Sequence, residues 1–167
     1  MIGDRWGVSD AETLRHYPCD NLVRAPTLQA WRGVSVDAEP ATVWARLKQV
    51  RLAPYSYDLI DNLGRHSPAD RRDLPDPVIG DPFTRAFGRD QGTVVAVEPG
   101  VHLTAQIMGA FMSYVVRVDG SQTRLVLKVT AETQPLLAPF LCLGDLLMAR
   151  HQLLRLGALA EQDQRSR

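Results

Sequence analysis

A chain of 167 residues with 19 basic and 19 acidic side chains has a formal net charge of zero, so no long-range field draws it toward nucleic acid, an anionic membrane or a polyanionic substrate. At this length one domain, spanning 1–167, buries roughly two thirds of the surface that the unfolded chain exposes. The two cysteines, Cys19 and Cys142, lie far apart and outside any metal-ligand spacing, which reads as inert thiols in a reducing, cytoplasmic setting.

The opening MIGDRWGVSD has neither the basic nor the apolar region of a secretory leader, and the longest apolar stretch is broken by Asp145 and Arg150. Neither secretion nor membrane insertion is expected. Ser9 and Glu12 have the spacing of a capping box, which predicts a short helix from Asp10 to about His16 within an N-terminal arm, 1–26. Pro18 ends that helix, and Asp20 to Pro26 reads as extended. Gln29 to Val36 alternates and is rich in β formers, so a strand follows.

Pro40, after Glu39, opens a helix to Gln49 whose inward stripe is Val43, Trp44 and Leu47. Trp44 reads as a core anchor. Tyr55 to Leu63 gives a second short helix with Tyr55, Leu59 and Leu63 on one face, stopped by Gly64. From Arg65 to Pro82 the chain is charged, aperiodic and holds four prolines, as in a long surface loop.

The period then changes to two. Phe83–Phe87, Thr93–Val97, Val101–Met108, Phe111–Val118 and Thr123–Ala131 read as antiparallel strands, with Asp119-Gly120 turning the last pair. Arg124, Lys128 and Thr130 fall on one face of the last strand, which argues for a wet outer face. After Pro135 and Pro139 a helix runs from about Phe140 to Gln162, long enough to cross a sheet.

A strand, two short helices, a run of antiparallel strands and a long terminal helix form an α+β order: a curved antiparallel sheet wrapped around a C-terminal helix. On Pro18-Cys19-Asp20, Val36-Asp37-Ala38 with Val43-Trp44, the Tyr55-Ser56-Tyr57-Asp58 and Asp61-Asn62-Leu63-Gly64 runs, Gly80-Asp81, and Gly144-Asp145 through Met148, Arg150 and Leu153-Leu154, the sequence resembles the START-like (SRPBCC, polyketide-cyclase-like) helix-grip superfamily, within it an uncharacterised bacterial branch. Leu52-Ala53-Pro54 departs from that branch, which has a small, glycine-containing approach to the tyrosine run. The resemblance implies a scaffold for a lipid, quinone, hormone or polyketide, catalytic in only some members.

A size argument agrees with it. Holding helix and sheet apart over an empty space of about 300 Å³ costs roughly 7 kcal/mol, as much as a whole domain's stability, so such a space is filled by guest, water or side chains.

On the terminal helix Leu143, Leu146, Leu147, Leu153, Leu154 and Gly157 form an apolar arc with Arg150 near its middle. A guanidinium there needs a carboxylate, an anionic guest or an exit to solvent. Asp58, with Asn62 one turn on, is the first-choice partner and Asp145 the second; the pair is either structural or a ligand anchor. Tyr55, Tyr57 and Tyr114 offer hydroxyls at the end of apolar rings, and Met108, Phe111 and Met112 suit a cavity wall or a soft core.

Asp58 and His66 are the candidate proton carriers if chemistry occurs. His16, His66, His102 and His151 lack metal spacing, and no nucleotide-binding glycine loop or nucleophile elbow is present, so neither metal nor cofactor is expected. Three functions follow: a carrier, sensor or chaperone for a small hydrophobic molecule; a cyclase, dehydratase or isomerase acting on one; or a protein-interaction domain with a filled core.

Overall fold

The computed structural model describes residues 3–55, 70–86 and 88–166. Tyr57, Asp58, Asn62 and His66, with the second short helix and its Gly64 stop, lie outside them. In chain order the elements are β1 (Arg5–Trp6), α1 (Asp10–Thr13), β2 (Leu28–Val36), α2 (Pro40–Leu47), β3 (Pro82–Ala86), β4 (Arg89–Glu98), β5 (His102–Ile107), β6 (Ala110–Asp119), β7 (Gln122–Ala131) and α3 (Ala138–Arg165). One curved sheet has the order β1-β2-β7-β6-β5-β4-β3, and α3 with α2 covers its inner face. This is a helix-grip α+β fold.

Two expectations about the sheet are corrected. It is mixed rather than purely antiparallel, because β1 pairs in parallel with β2 through Arg5 with Trp31 and Trp6 with Arg32. A two-residue strand carries no periodicity, which hides it from pattern reading.

The outer face of β7 is also covered rather than wet. Lys128 is only 4% exposed; its ammonium meets Asp20 and lies 4.8 Å from the Trp31 ring centre and 5.5 Å from that of Tyr17. Arg124 binds Glu12 at 2.7 Å. Alternation separates the two faces of a strand, but it does not reveal that a distant arm will bring counter-charges to the polar one.

That arm is built as its signals suggest, in shorter pieces. The Ser9 N–H donates to Glu12 Oε2 at 2.8 Å and the Glu12 N–H to Ser9 Oγ at 3.3 Å, closing the capping box. The helix stops at Thr13, and Pro18–Asn21, expected to be extended from Asp20, is a 3₁₀ turn. It is docked by the Cys19 N–H, which donates to Ser113 Oγ at 2.9 Å.

Helix α2 buries Val43, Trp44 and Leu47 as expected and runs on into a 3₁₀ turn, Lys48–Arg51. Arg46 forks onto Asp163 of α3 at 2.7 and 2.6 Å. The described part of the long loop, 70–81, has neither helix nor strand, yet it is tied to α2: the Trp44 indole N–H donates to Asp76 at 2.8 Å, and Lys48 donates to the Leu74 carbonyl at 2.7 Å.

Helix α3 spans 28 residues, about 42 Å at 1.5 Å per residue. Its buried stripe is Ala138, Cys142, Ala149, Leu153, Leu156 and Ala160. A Cβ added at Gly157 would stand 3.3 Å from Val36 of β2, so the two elements approach closely there. The expected arc is buried only along one edge: Leu153 and Gly157 are buried, whereas Leu143, Leu147 and Leu154 are exposed. At about 100° per residue two apolar arcs coexist on this helix, and the small-residue arc wins because it lets helix and strand come together.

Candidate functional site

Between the inner face of the sheet and α3 lies a cavity of about 440 Å³. The sheet supplies Phe83 and Thr84 from β3, Ile107 from β5, Met112 and Tyr114 from β6, and Leu127 from β7. The helix supplies Asp145, Met148, Ala149 and Gln152, and the segment after α2 supplies Val50 and Pro54. Phe83 and Tyr114 rings lie 6.0 Å apart, tilted by 32°. The space reaches the surface beside Met108, 96% exposed at the tip of the β5–β6 hairpin, where its φ of 49° and that of 81° at Gly109 form the two-residue turn.

The polar end of this cavity is a linked set. Arg32, fully buried, points inward from β2 between Ala30 and Val34 and binds Asp145 Oδ2 at 3.0 Å. Its remaining Nη contacts go to the carbonyls of Asp4 (2.8 Å), Trp31 (2.9 Å) and Cys142 (3.2 Å), with Cys142 Sγ at 3.8 Å; its Nε is buried without a partner among the described residues. Burial pushes the Asp145 carboxyl above the usual range, against the opposing pull of Arg32. The Tyr114 hydroxyl donates to Gln152 Oε1 at 2.7 Å, and Gln152 Nε2 donates to the Pro54 carbonyl. Burial drives the Tyr114 hydroxyl far above its ordinary pKa, so it stays protonated.

Of the site residues read from sequence, Tyr114 and Met112 line the cavity. Leu147 and Leu154 do not; they face outward. Tyr55 is buried with a φ of 56° and lies beneath Arg155, whose guanidinium is 6.0 Å from its ring centre. Phe111 packs on the outer face with Tyr17 and Cys19.

Arg150 is exposed and stacks over Trp6 at 5.3 Å, about 100° around the helix from the buried stripe. An arginine–carboxylate pair does sit inside the grip, but it joins Arg32 to Asp145, the second-choice carboxylate. Arg32 carried a legible signal: it occupies an inward register position in the alternating run Leu28, Ala30, Arg32, Val34, Val36. Gln152 and Thr84 carried none, since nothing in their neighbourhoods separates them from surface residues. No group of three metal-ligating side chains occurs among the described residues, and none of their helices is long and apolar enough to cross a membrane.

A curved sheet gripping one long terminal helix is the helix-grip fold, and solved structures share that fold. The chain is similar to the protein MLL2253 from Mesorhizobium loti (13% identity, TM-score 0.55, covering 80% of this chain and 97% of that one). It is also similar to the polyketide-cyclase-like protein Cgl2372 from Corynebacterium glutamicum (14%, 0.51, 84% and 95%) and to the AHSA1-like protein RHE_CH02687 from Rhizobium etli (16%, 0.51, 83% and 87%). At these identities the likeness is one of fold. The sequence matches no family profile and no curated protein.

Proposed function

We propose that the protein binds a small, mostly hydrophobic molecule of the lipid, quinone or polyketide kind between its sheet and α3, as a cytoplasmic carrier, sensor or chaperone. The observation that carries this reading is the cavity of about 440 Å³, walled by apolar side chains around a few convergent polar groups. Its apolar wall is better covered by an apolar guest than by water. The polyketide-cyclase-like and AHSA1-like neighbours support a ligand-binding scaffold of this shape.

Mass spectrometry of organic extracts from freshly purified protein tests the reading, with Ala149→Phe as the control that fills the cavity from α3. The expected result is a small molecule that co-purifies with the wild type and is missing from the variant. Equal recovery from both proteins, or a clean extract together with no thermal shift across lipids, quinones and aromatic polyketides, overturns it.

A further inference from the structure

The direction of every hydrogen bond at the polar end follows from one residue that can only accept. The Pro54 carbonyl takes a hydrogen from Gln152, which fixes the side-chain amide with Nε2 toward Pro54 and Oε1 toward Tyr114. Oε1 can only accept, so the Tyr114 hydroxyl must donate to it and keeps only lone pairs for a third party. Thr84 is committed in the same way: its hydroxyl donates to the Val50 carbonyl at 2.7 Å.

The remaining polar group is Asp145. Its Oδ2 is taken by Arg32, while Oδ1 accepts no hydrogen bond from any described residue. Protonating it would leave the guanidinium of Arg32 buried without a counter-charge, so the carboxylate form is the one the pair holds. Arg32 itself is fully buried behind Asp145 and spends both its Nη atoms on Asp145 and backbone carbonyls. Among the described lining side chains only Gln91, half-buried on β4, keeps an uncommitted amide.

We infer that the cavity selects an apolar guest carrying a hydrogen-bond donor, a hydroxyl or phenol at one end, which gives its hydrogen to Asp145, and that it rejects guests ending in a carboxylate. This rests on the ligand-binding reading above and adds the polarity of the guest. An alcohol places its O–H on an anionic acceptor in a low-dielectric site, the stronger class of hydrogen bond. A carboxylate would bring a second negative charge to Asp145 and meet lone pairs on Asp145, Tyr114 and Thr84, with only the half-buried Gln91 amide to donate to it. The presence of a buried arginine is misleading here, because its charge is answered before it reaches the cavity.

Equilibrium dialysis at pH 7 of the wild-type protein with biphenyl-4-ol, biphenyl and biphenyl-4-carboxylate tests it. The expected order is the phenol about tenfold tighter than the hydrocarbon, and the carboxylate about tenfold weaker than the hydrocarbon. A carboxylate that binds as well as the phenol, or a phenol no tighter than biphenyl, overturns the inference while leaving the cavity reading in place. Binding of none of the three overturns both. In Asp145→Asn, whose amide can donate, the penalty on the carboxylate shrinks; a folded variant that ranks the three compounds as the wild type does also overturns the assignment.

Discussion

The two faces of the sheet both bury cations, and they treat them differently. On the outer face Arg124 and Lys128 meet Glu12 and Asp20 from the N-terminal arm, with Tyr17 and Trp31 rings beside the ammonium, and the arm closes over them. On the inner face Arg32 meets Asp145, but the carboxylate also lines a cavity. A covered pair serves the fold alone. A pair at the wall of a space serves the fold through one oxygen and leaves the other to whatever occupies that space.

Stability measurements can break this contrast. The largest loss is expected from Arg32→Met, which strands Asp145 and should cost about 3–5 kcal/mol in denaturant unfolding, with most of it regained in Arg32→Met/Asp145→Leu. Additive losses in the double variant would show that the two charges do not act as a pair. On the outer face Lys128→Met should cost about 1.5–3 kcal/mol, less than Arg32→Met, because Asp20 keeps the Tyr17 N–H on its other oxygen once its partner has gone. Equal losses at the two sites would erase the distinction between the faces.

Acid titration sharpens the same comparison. The hydrogen bond from Arg124, helped by Ser9, holds the Glu12 carboxyl down from 4.5 to about 2, in spite of burial. A depressed folded pKa means stability that is present above pH 4.5 and lost as the pH falls toward 2. Thermal melts across that window should show a steeper acid decline for wild type than for Glu12→Gln. The smallest effect falls on the surface of α3 that touches neither face: Leu147→Ala should change stability by no more than about 0.5 kcal/mol, and a larger loss would place that leucine in an interface.

Much of this architecture was legible because it rests on short-range signals. The capping box at Ser9, the stripe of Val43, Trp44 and Leu47, the Asp119-Gly120 turn and the switch of period at Phe83 are each written within a few residues. The site was harder, because its members come together across the fold. Tyr114 could be placed from strand alternation, and Arg32 was equally placed but lies in a run whose apolar neighbours draw attention away from it. Arg150 takes the exit to solvent that its place on the arc left open, because the buried contact lies further round the helix, on Ala138, Cys142, Ala149, Leu153, Leu156 and Ala160. Gln152 has meaning only beside the Pro54 carbonyl, and that meeting is set by the tertiary fold.

The two-residue strand β1 has a consequence for handling the protein. It is the outermost strand on the β2 side of the sheet, held there by the Trp31 N–H, which donates to the Asp4 carbonyl at 2.7 Å, and by Arg32 on the same oxygen. Without it, the stretch of β2 around Trp31 and Arg32 would present unpaired backbone groups along an open edge, the feature that lets one chain template another into aggregates. The guanidinium that faces the cavity's carboxylate thus also fastens the guard on this margin, and trimming the first six residues would trade solubility for nothing.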